Sequence, residues 1–205
     1  MSFIHRTCLA IILFTLLLTG IAAEAVLIDR VAGVVDGEVI TYSDIRIERI
    51  FQLTETNDKD DKRVLQALID RKLLLREADK FKITENEEDI NKIQHRLQEI
   101  KALIGEDKYY LILKEYGLTE PDILERLKEK VLAEKFIGFR IHFFIMISDD
   151  SIRAYYNGYR DQFGDKSLED VYGEIKDRLF QAESRRRLTD YLDQLRQRAK
   201  ISVNL

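Results

Sequence analysis

Apolar positions along the chain fall into one short stretch of strand period followed by long stretches of helical period. In Val26 to Thr41, the β-branched Val31, Val34, Val35, Val39 and Ile40 surround Asp36-Gly37. That dipeptide suits a type I′ turn, whose two central residues need positive φ, and the segment reads as a β-hairpin. Ser43 is placed as the cap of a first helix, with Asp44 in its first turn and Ile45, Ile50, Phe51 and Leu53 on one face. Asn57 to Lys62 reads as a solvated linker, without the Gly and terminal Glu that a calcium loop of this kind requires. Arg63 to Lys80 then carries a wide apolar stripe of Leu65, Leu68, Ile69, Leu73, Leu75 and Ala78.

Thr84-Glu85-Asn86-Glu87 has the form of a capping box. It introduces Ile90, Ile93, Leu97, Ile100 and Ile104, alternately three and four apart, as far as Gly105. So short a series indicates a bundle helix rather than a long coiled coil. A helix around Tyr109 to Tyr116 ends at Gly117, and Thr119-Glu120-Pro121-Asp122 opens another that runs towards Phe139. After the apolar run Ile141 to Ile147, Ser148 caps a helix bearing Ile152, Tyr155, Tyr156, Tyr159 and Phe163. Ser167 opens the last helix, with Val171, Ile175, Leu179 and Ala182 on its first face and Leu188, Leu192, Leu195 and Ala199 further on. The alternation Ile201 to Leu205 reads as a strand that pairs with the N-terminal hairpin, because a lone terminal strand would leave its backbone groups unpaired. The expected fold is therefore mainly α, a helical bundle with a small sheet joining its two ends.

The first 25 residues differ from the rest. His5 and Arg6 precede an apolar run from Leu9 to Leu18, and Ala23-Glu24-Ala25 fits an A-x-A cleavage pattern. This is the order of a secretory signal peptide cut near Ala23 or Ala25, the alternative being an uncleaved anchor. Removing it takes away Cys8, the one cysteine of the chain, so residues 26–205 can form no disulfide.

In composition, 9 Gly and 1 Pro among 205 residues favour long helices over loops, and 45% hydrophobic content excludes wholesale disorder. A net charge of −4 supplies no cationic field for nucleic acid. Candidate chemistry is sparse. His95 lies on a polar helical face and His142 in an apolar run, where a core or interface position is expected. No phosphate-cradling Gly loop, H-x-x-x-H pair or G-x-S-x-G occurs, so no cofactor and no metal are expected. Arg185-Arg186-Arg187, flanked by Glu183 and Asp190, reads as a solvated helix face. The tyrosine stripe reads first as packing and, in the sharper alternative, as an aromatic surface for peptides.

Several of these segments carry a resemblance. Val31 to Ile40 closed by Ser43-Asp44, Leu68 to Ala78, Ser148 to Ile152 with Tyr155-Tyr156, and Tyr191 to Ile201 together resemble the periplasmic chaperone SurA and its relatives. The order of the motifs, spread over residues 26–205, is more specific than any one of them. The resemblance implies a chaperone core, divided here into 26–147 and 148–205. It implies residence in the periplasm and, as partners, unfolded outer-membrane or other exported polypeptides. Members of this family commonly insert parvulin-type prolyl isomerase domains between the Tyr-Tyr helix and the closing helix. Here only the 11 residues Asn157 to Ser167 stand there, against about 50 for a small domain, so isomerase activity is not expected. The resulting expectation is an ATP-independent holdase, with Phe143, Phe144, Met146, Tyr155, Tyr156 and Tyr159 as candidate client-binding residues. The alternative is a helical adaptor that docks one periplasmic partner or forms a homodimer. Neither reading requires stable membrane insertion once the signal is removed.

Overall fold

A computed structural model describes residues 29–53 and 60–205. The expected signal peptide and the first half of the expected linker, residues 57–59, lie outside them. The chain runs β1 (Val31–Val35), β2 (Glu38–Thr41), α1 (Tyr42–Ile50), α2 (Asp61–Lys80), α3 (Glu87–Ile104), α4 (Glu106–Glu115) and α5 (Glu120–Arg140). A 3₁₀ turn at His142–Phe144 leads to α6 (Asp149–Gly158), a second at Arg160–Gln162 to α7 (Leu168–Arg198), and β3 (Ile201–Val203) closes the chain.

The sheet order is β2-β1-β3, antiparallel throughout, with Val34 opposite both Val39 and Ser202. Asp36 and Gly37 have φ of 48° and 93°, as the turn requires. The first and last strands thus share one sheet, as the alternation at the C-terminus implied. Gly33 makes this possible: a Cβ there would lie 3.2 Å from the Ser202 carbonyl oxygen and 3.3 Å from a Leu65 methyl. The turn is held from α2, where Arg76 binds Asp36, Glu38 and the Val35 carbonyl, and Lys72 binds Glu38 at 2.9 Å. Arg196 of α7 grips Asp70 of α2 with two hydrogen bonds of 2.9 and 2.6 Å. Bidentate pairing of this kind fixes orientation as well as distance.

Three apolar clusters result. The sheet, α2, the end of α5 and the second half of α7 bury Val35, Ile40, Leu65, Ile69, Phe136 and Leu192 among others. The end of α1, α3, α4 and most of α5 enclose Phe51, Leu97, Tyr109, Ile123 and Leu127. A smaller cluster pairs α6 with the first half of α7 around Ile152, Phe163, Val171 and Ile175. Each large aliphatic side chain buried in this way stabilises the fold by about 1.5–3 kcal/mol. At 100° per residue, the Val171-Ile175-Leu179 face of α7 lies about 130° from the Leu188-Leu192-Leu195 face. The helix therefore turns one side to each cluster and bridges them over its 31 residues. Ala182, on the first face by angle but beyond the end of the α6–α7 cluster, is exposed rather than buried.

Two helix caps are displaced from their sequence-based positions, each by two residues. Thr41, not Ser43, caps α1: its hydroxyl accepts from the Asp44 amide at 3.2 Å, and the Asp44 carboxylate returns a contact to the Thr41 amide at 2.8 Å. Asn86 with Asp89, not Thr84 with Glu87, forms the box of α3. The Thr84 carbonyl instead accepts from Lys135 of α5. Asp60 caps α2, so Asp61 and Lys62 are already helical rather than linker. Ile90 of the α3 stripe is exposed. One buried charge pair escaped the sequence reading altogether. Glu48 is fully buried and receives both guanidinium ends of Arg71, at 2.7 and 2.8 Å, tying α1 to α2.

Candidate functional site

The seven residues from Ile141 to Ile147 are apolar apart from His142, yet the backbone sorts them. Ile141 and Ile145 are buried, whereas Phe143 is 79% exposed, Phe144 55% and Met146 92%. The 3₁₀ turn explains the sorting: with about three residues per turn, Ile141 and Ile145 bracket it as anchors, and the residues between them point away. The rings of Phe143 and Phe144 meet edge to face, their centroids 5.2 Å apart. Arg187 of α7 holds the segment by donating to the Phe144 carbonyl at 3.0 Å, and His142 meets Phe180 of α7 at 5.4 Å. His142 is exposed, not a core residue, because the turn directs it to the side of α7.

Further aromatic surface adjoins this segment in the chain. Phe139, in the last turn of α5, is exposed and lies 5.7 Å from Phe81, itself exposed at the end of α2. Phe81 also meets the buried Phe136, which in turn meets Tyr191 of α7. Phe81 and Phe139 were not among the residues singled out from the sequence. Their signal was local: Phe81 stands just past the end of a helical stripe, and Phe139 is three residues beyond Phe136, at a helix end where no further turn covers it.

The tyrosine group is arranged differently. Tyr155 and Tyr156 are half-buried against the α6–α7 cluster, with Tyr156 stacked on Phe163 at 5.6 Å and Tyr155 against Tyr159 at 4.6 Å. The Tyr156 hydroxyl donates to the Lys166 carbonyl at 2.8 Å, and Arg178 donates to the Tyr155 hydroxyl at 3.1 Å. Tyr159 is exposed at the rim. Of the six candidates, Phe143, Phe144 and Met146 therefore stand in solvent on one segment, and Tyr155 and Tyr156 are engaged in packing on another.

Charge near the segment is largely paired. Arg186 and Arg187 both bind Glu183 and hold its carboxyl down at about 2, hydrogen bonding from Arg186 first and then Arg187. The arginine cluster is thus a solvated helix face with its own counter-ions, as its flanking acids implied. Among the described residues no group of three or more His, Cys, Asp or Glu comes together to hold a metal ion, and no helix is long and apolar enough to cross a membrane.

A helical body closed by a three-stranded sheet drawn from both ends of the chain is the fold of the SurA-like chaperones. The chain is similar over 85% of its length, with a TM-score of 0.51 and 14% identity, to a solved chain from Campylobacter jejuni, where PEB4 and the periplasmic protein Cj1289 are two structurally related SurA-like chaperones. The similarity covers 99% of that chain and is one of fold. In sequence, it is 30% identical over 122 residues to the foldase protein PrsA of Clostridium botulinum strain Langeland, covering 58% of this chain and 36% of that one. It is 29% identical over 101 residues to the PrsA of Clostridium perfringens strain SM101, covering 49% and 29%. The chain thus matches about a third of the length of these curated relatives. No family model matches it.

Proposed function

We propose that this protein is an ATP-independent chaperone of exported polypeptides, a holdase that binds unfolded outer-membrane or other secreted chains outside the cytoplasm. The observation that carries the reading is the solvent-facing trio Phe143, Phe144 and Met146, the two rings held out by a turn whose flanking isoleucines are buried and Met146 exposed just past it. An unfolded chain offers apolar side chains without fixed shape, and aromatic rings and a flexible thioether accept such partners without specific geometry. Weak contact at several points lets the client leave when a folded state competes. The SurA-like fold and the similarity to PrsA foldases support the same reading. Tyr159, on the rim of the α6–α7 cluster, supplies a second apolar contact, with Tyr155 and Tyr156 behind it.

In this reading residues 1–25 direct export and are removed, and residues 26–205 form the working chaperone in the periplasm. The place between α6 and α7 where SurA relatives insert an isomerase holds only Tyr159–Ser167 here, a 3₁₀ turn and a short loop. The activity proposed is binding without prolyl isomerisation.

The test is light scattering from a urea-denatured outer-membrane β-barrel protein diluted into buffer with the purified protein and no nucleotide. Suppression of aggregation at near-stoichiometric ratios, together with inertness toward a prolyl peptide, is the expected result. No suppression at large excess overturns the holdase and favours a dedicated adaptor.

A further inference from the structure

A cleft of about 260 Å³ opens where β2, α1, α2 and the first half of α5 meet. Its walls are the side chains of Ile40, Leu68 and Leu118, and its polar lining carries three cations and four carboxylates. Every one of the cations is already held. Arg71 is bound to Glu48, Lys72 to Glu38 at 2.9 Å, and Arg126 to Asp44 at 2.6 Å. Two of the carboxylates are also committed, Asp44 to the cap of α1 and to Arg126, and Asp122 to the Thr119 amide at 2.6 Å. Glu129, half-buried on α5, and Glu125, exposed one turn before it, are left with no hydrogen bond or ion pair among the described residues.

A half-buried carboxylate without a partner is costly, and the cost is relieved by a cation that brings its own donors. The apolar walls add a second requirement. A bare ion gains nothing from Ile40, Leu68 and Leu118, whereas a cationic head on an aliphatic stem satisfies both parts of the lining. We propose that this cleft is a docking site for the guanidinium or ammonium head of a basic side chain carried by a bound polypeptide. The choice of a polypeptide as source rests on the chaperone reading; the preference for a stemmed cation rests on the cleft alone. None of Phe143, Phe144, Met146 or Tyr159 lines it, so this proposal can fail while aggregation suppression stands.

The electrostatics agree with the geometry. Burial pushes the Glu129 carboxyl above the usual carboxylate range, with Lys72, Arg71 and Arg126 opposing the rise and Glu125 adding to it. A cation bound beside it favours the ionised form, so binding releases a proton whenever Glu129 starts out protonated. Affinity should then increase as pH rises through the Glu129 titration and level off above it.

The experiment is an NMR titration of the ¹⁵N-labelled protein with N-acetyl-arginine amide. N-acetyl-citrulline amide serves as the uncharged isostere and putrescine as a free diamine. The expected result is saturable shifts in β2, α2 and α5 with a dissociation constant of about 1 mM, and citrulline binding at least about tenfold weaker. The Glu125→Gln, Glu129→Gln double variant should lose the arginine response. Equal binding of the citrulline compound, or no saturable response in the cleft, overturns the site. Putrescine binding more tightly than the arginine amide overturns the polypeptide source. If the double variant does not fold, the arginine-citrulline comparison on the unaltered protein decides alone.

Discussion

Two aromatic groups stand close together in the sequence and end in opposite situations. Tyr156 stacks on Phe163, Tyr155 meets the same ring edge to face, and together they close a small cluster between α6 and α7. Phe143 and Phe144 contact each other and otherwise stand largely in water. The difference lies in backbone form and polar handles. The tyrosines sit on or beside a regular helix, whose repeat brings them onto a face covered by α7, and their hydroxyls find partners in Lys166 and Arg178. The phenylalanines are consecutive in a 3₁₀ turn anchored by buried neighbours on both sides, a geometry that cannot bury both rings. An aromatic run is therefore core where its spacing matches the covering element, and surface where it does not.

The largest expected effect separates the two groups by stability. Phe163→Ala removes a buried ring from a cluster of only four buried residues and should cost about 3 kcal/mol. In a urea titration this appears as early melting of the α6–α7 pair. Phe143→Ala with Phe144→Ala should change stability by less than about 0.5 kcal/mol, because both rings already face water. Equal destabilisation by the two sets would break the comparison, and with it the reading of Phe143 and Phe144 as surface.

The same pair of variants sharpens the comparison on the functional side. Phe143→Ala, Phe144→Ala should need about tenfold more protein to suppress client aggregation, the equivalent of about 1.4 kcal/mol in affinity. Met146→Ser should add to the loss at unchanged melting temperature. Unaltered suppression by the triple variant would move client binding to another surface.

A smaller effect tests whether the tyrosines are fixed by their handles. Tyr156→Phe keeps the ring stacked on Phe163 but removes the 2.8 Å hydrogen bond to the Lys166 carbonyl. The cost should be about 1 kcal/mol, with client binding unchanged. Hydrogen exchange at Gly164 to Ser167 should quicken, since that loop loses its tie to α6.

Much of the scaffold was legible because the deciding interactions are local. Asp36-Gly37 sets the hairpin, and Pro121 between Thr119 and Asp122 sets the start of α5. The period-two ending selects a strand, and only the hairpin offers it an edge. Where two or three cap-forming residues stand together, tertiary structure chose among them: the end of β2 put Thr41 at the cap, and Lys135 claimed the Thr84 carbonyl. The Glu48–Arg71 pair was invisible because each residue alone reads as the polar side of a helix; its one trace is that Glu48 lies three residues after the buried Ile45. Within the candidate site, Phe143, Phe144 and Met146 were legible as residues. Their division from Ile141 and Ile145 was not, because it depends on a turn that the uniformly apolar run conceals. The Glu125–Glu129 cleft has no local signature at all, since its walls come from β2, α2 and the loop before α5.

The smallest effect concerns how the exposed segment is held. Arg187 bridges the Phe144 carbonyl and Glu183, so the position of the Phe143–Phe144 turn is linked to a carboxylate on α7. Arg186 and Arg187 lower the Glu183 carboxyl from the usual 4.5 to about 2. A group lowered on folding contributes stability above its unfolded value and loses it as pH falls through the folded one. The contribution of Glu183 is thus complete above about pH 5 and fades between pH 4.5 and about 2. Over that window the amides of Phe144 to Met146 should exchange faster than those of Tyr155 to Tyr159, where the tyrosine hydroxyls are held by the Lys166 carbonyl and the Arg178 guanidinium. Glu183→Gln should bring the fast exchange up to neutral pH and remove the acid dependence, while high salt weakens the pair in the unaltered protein. If both segments respond to acid alike, the turn is held by Ile141 and Ile145 alone, and Arg187 plays no part in presenting the two rings.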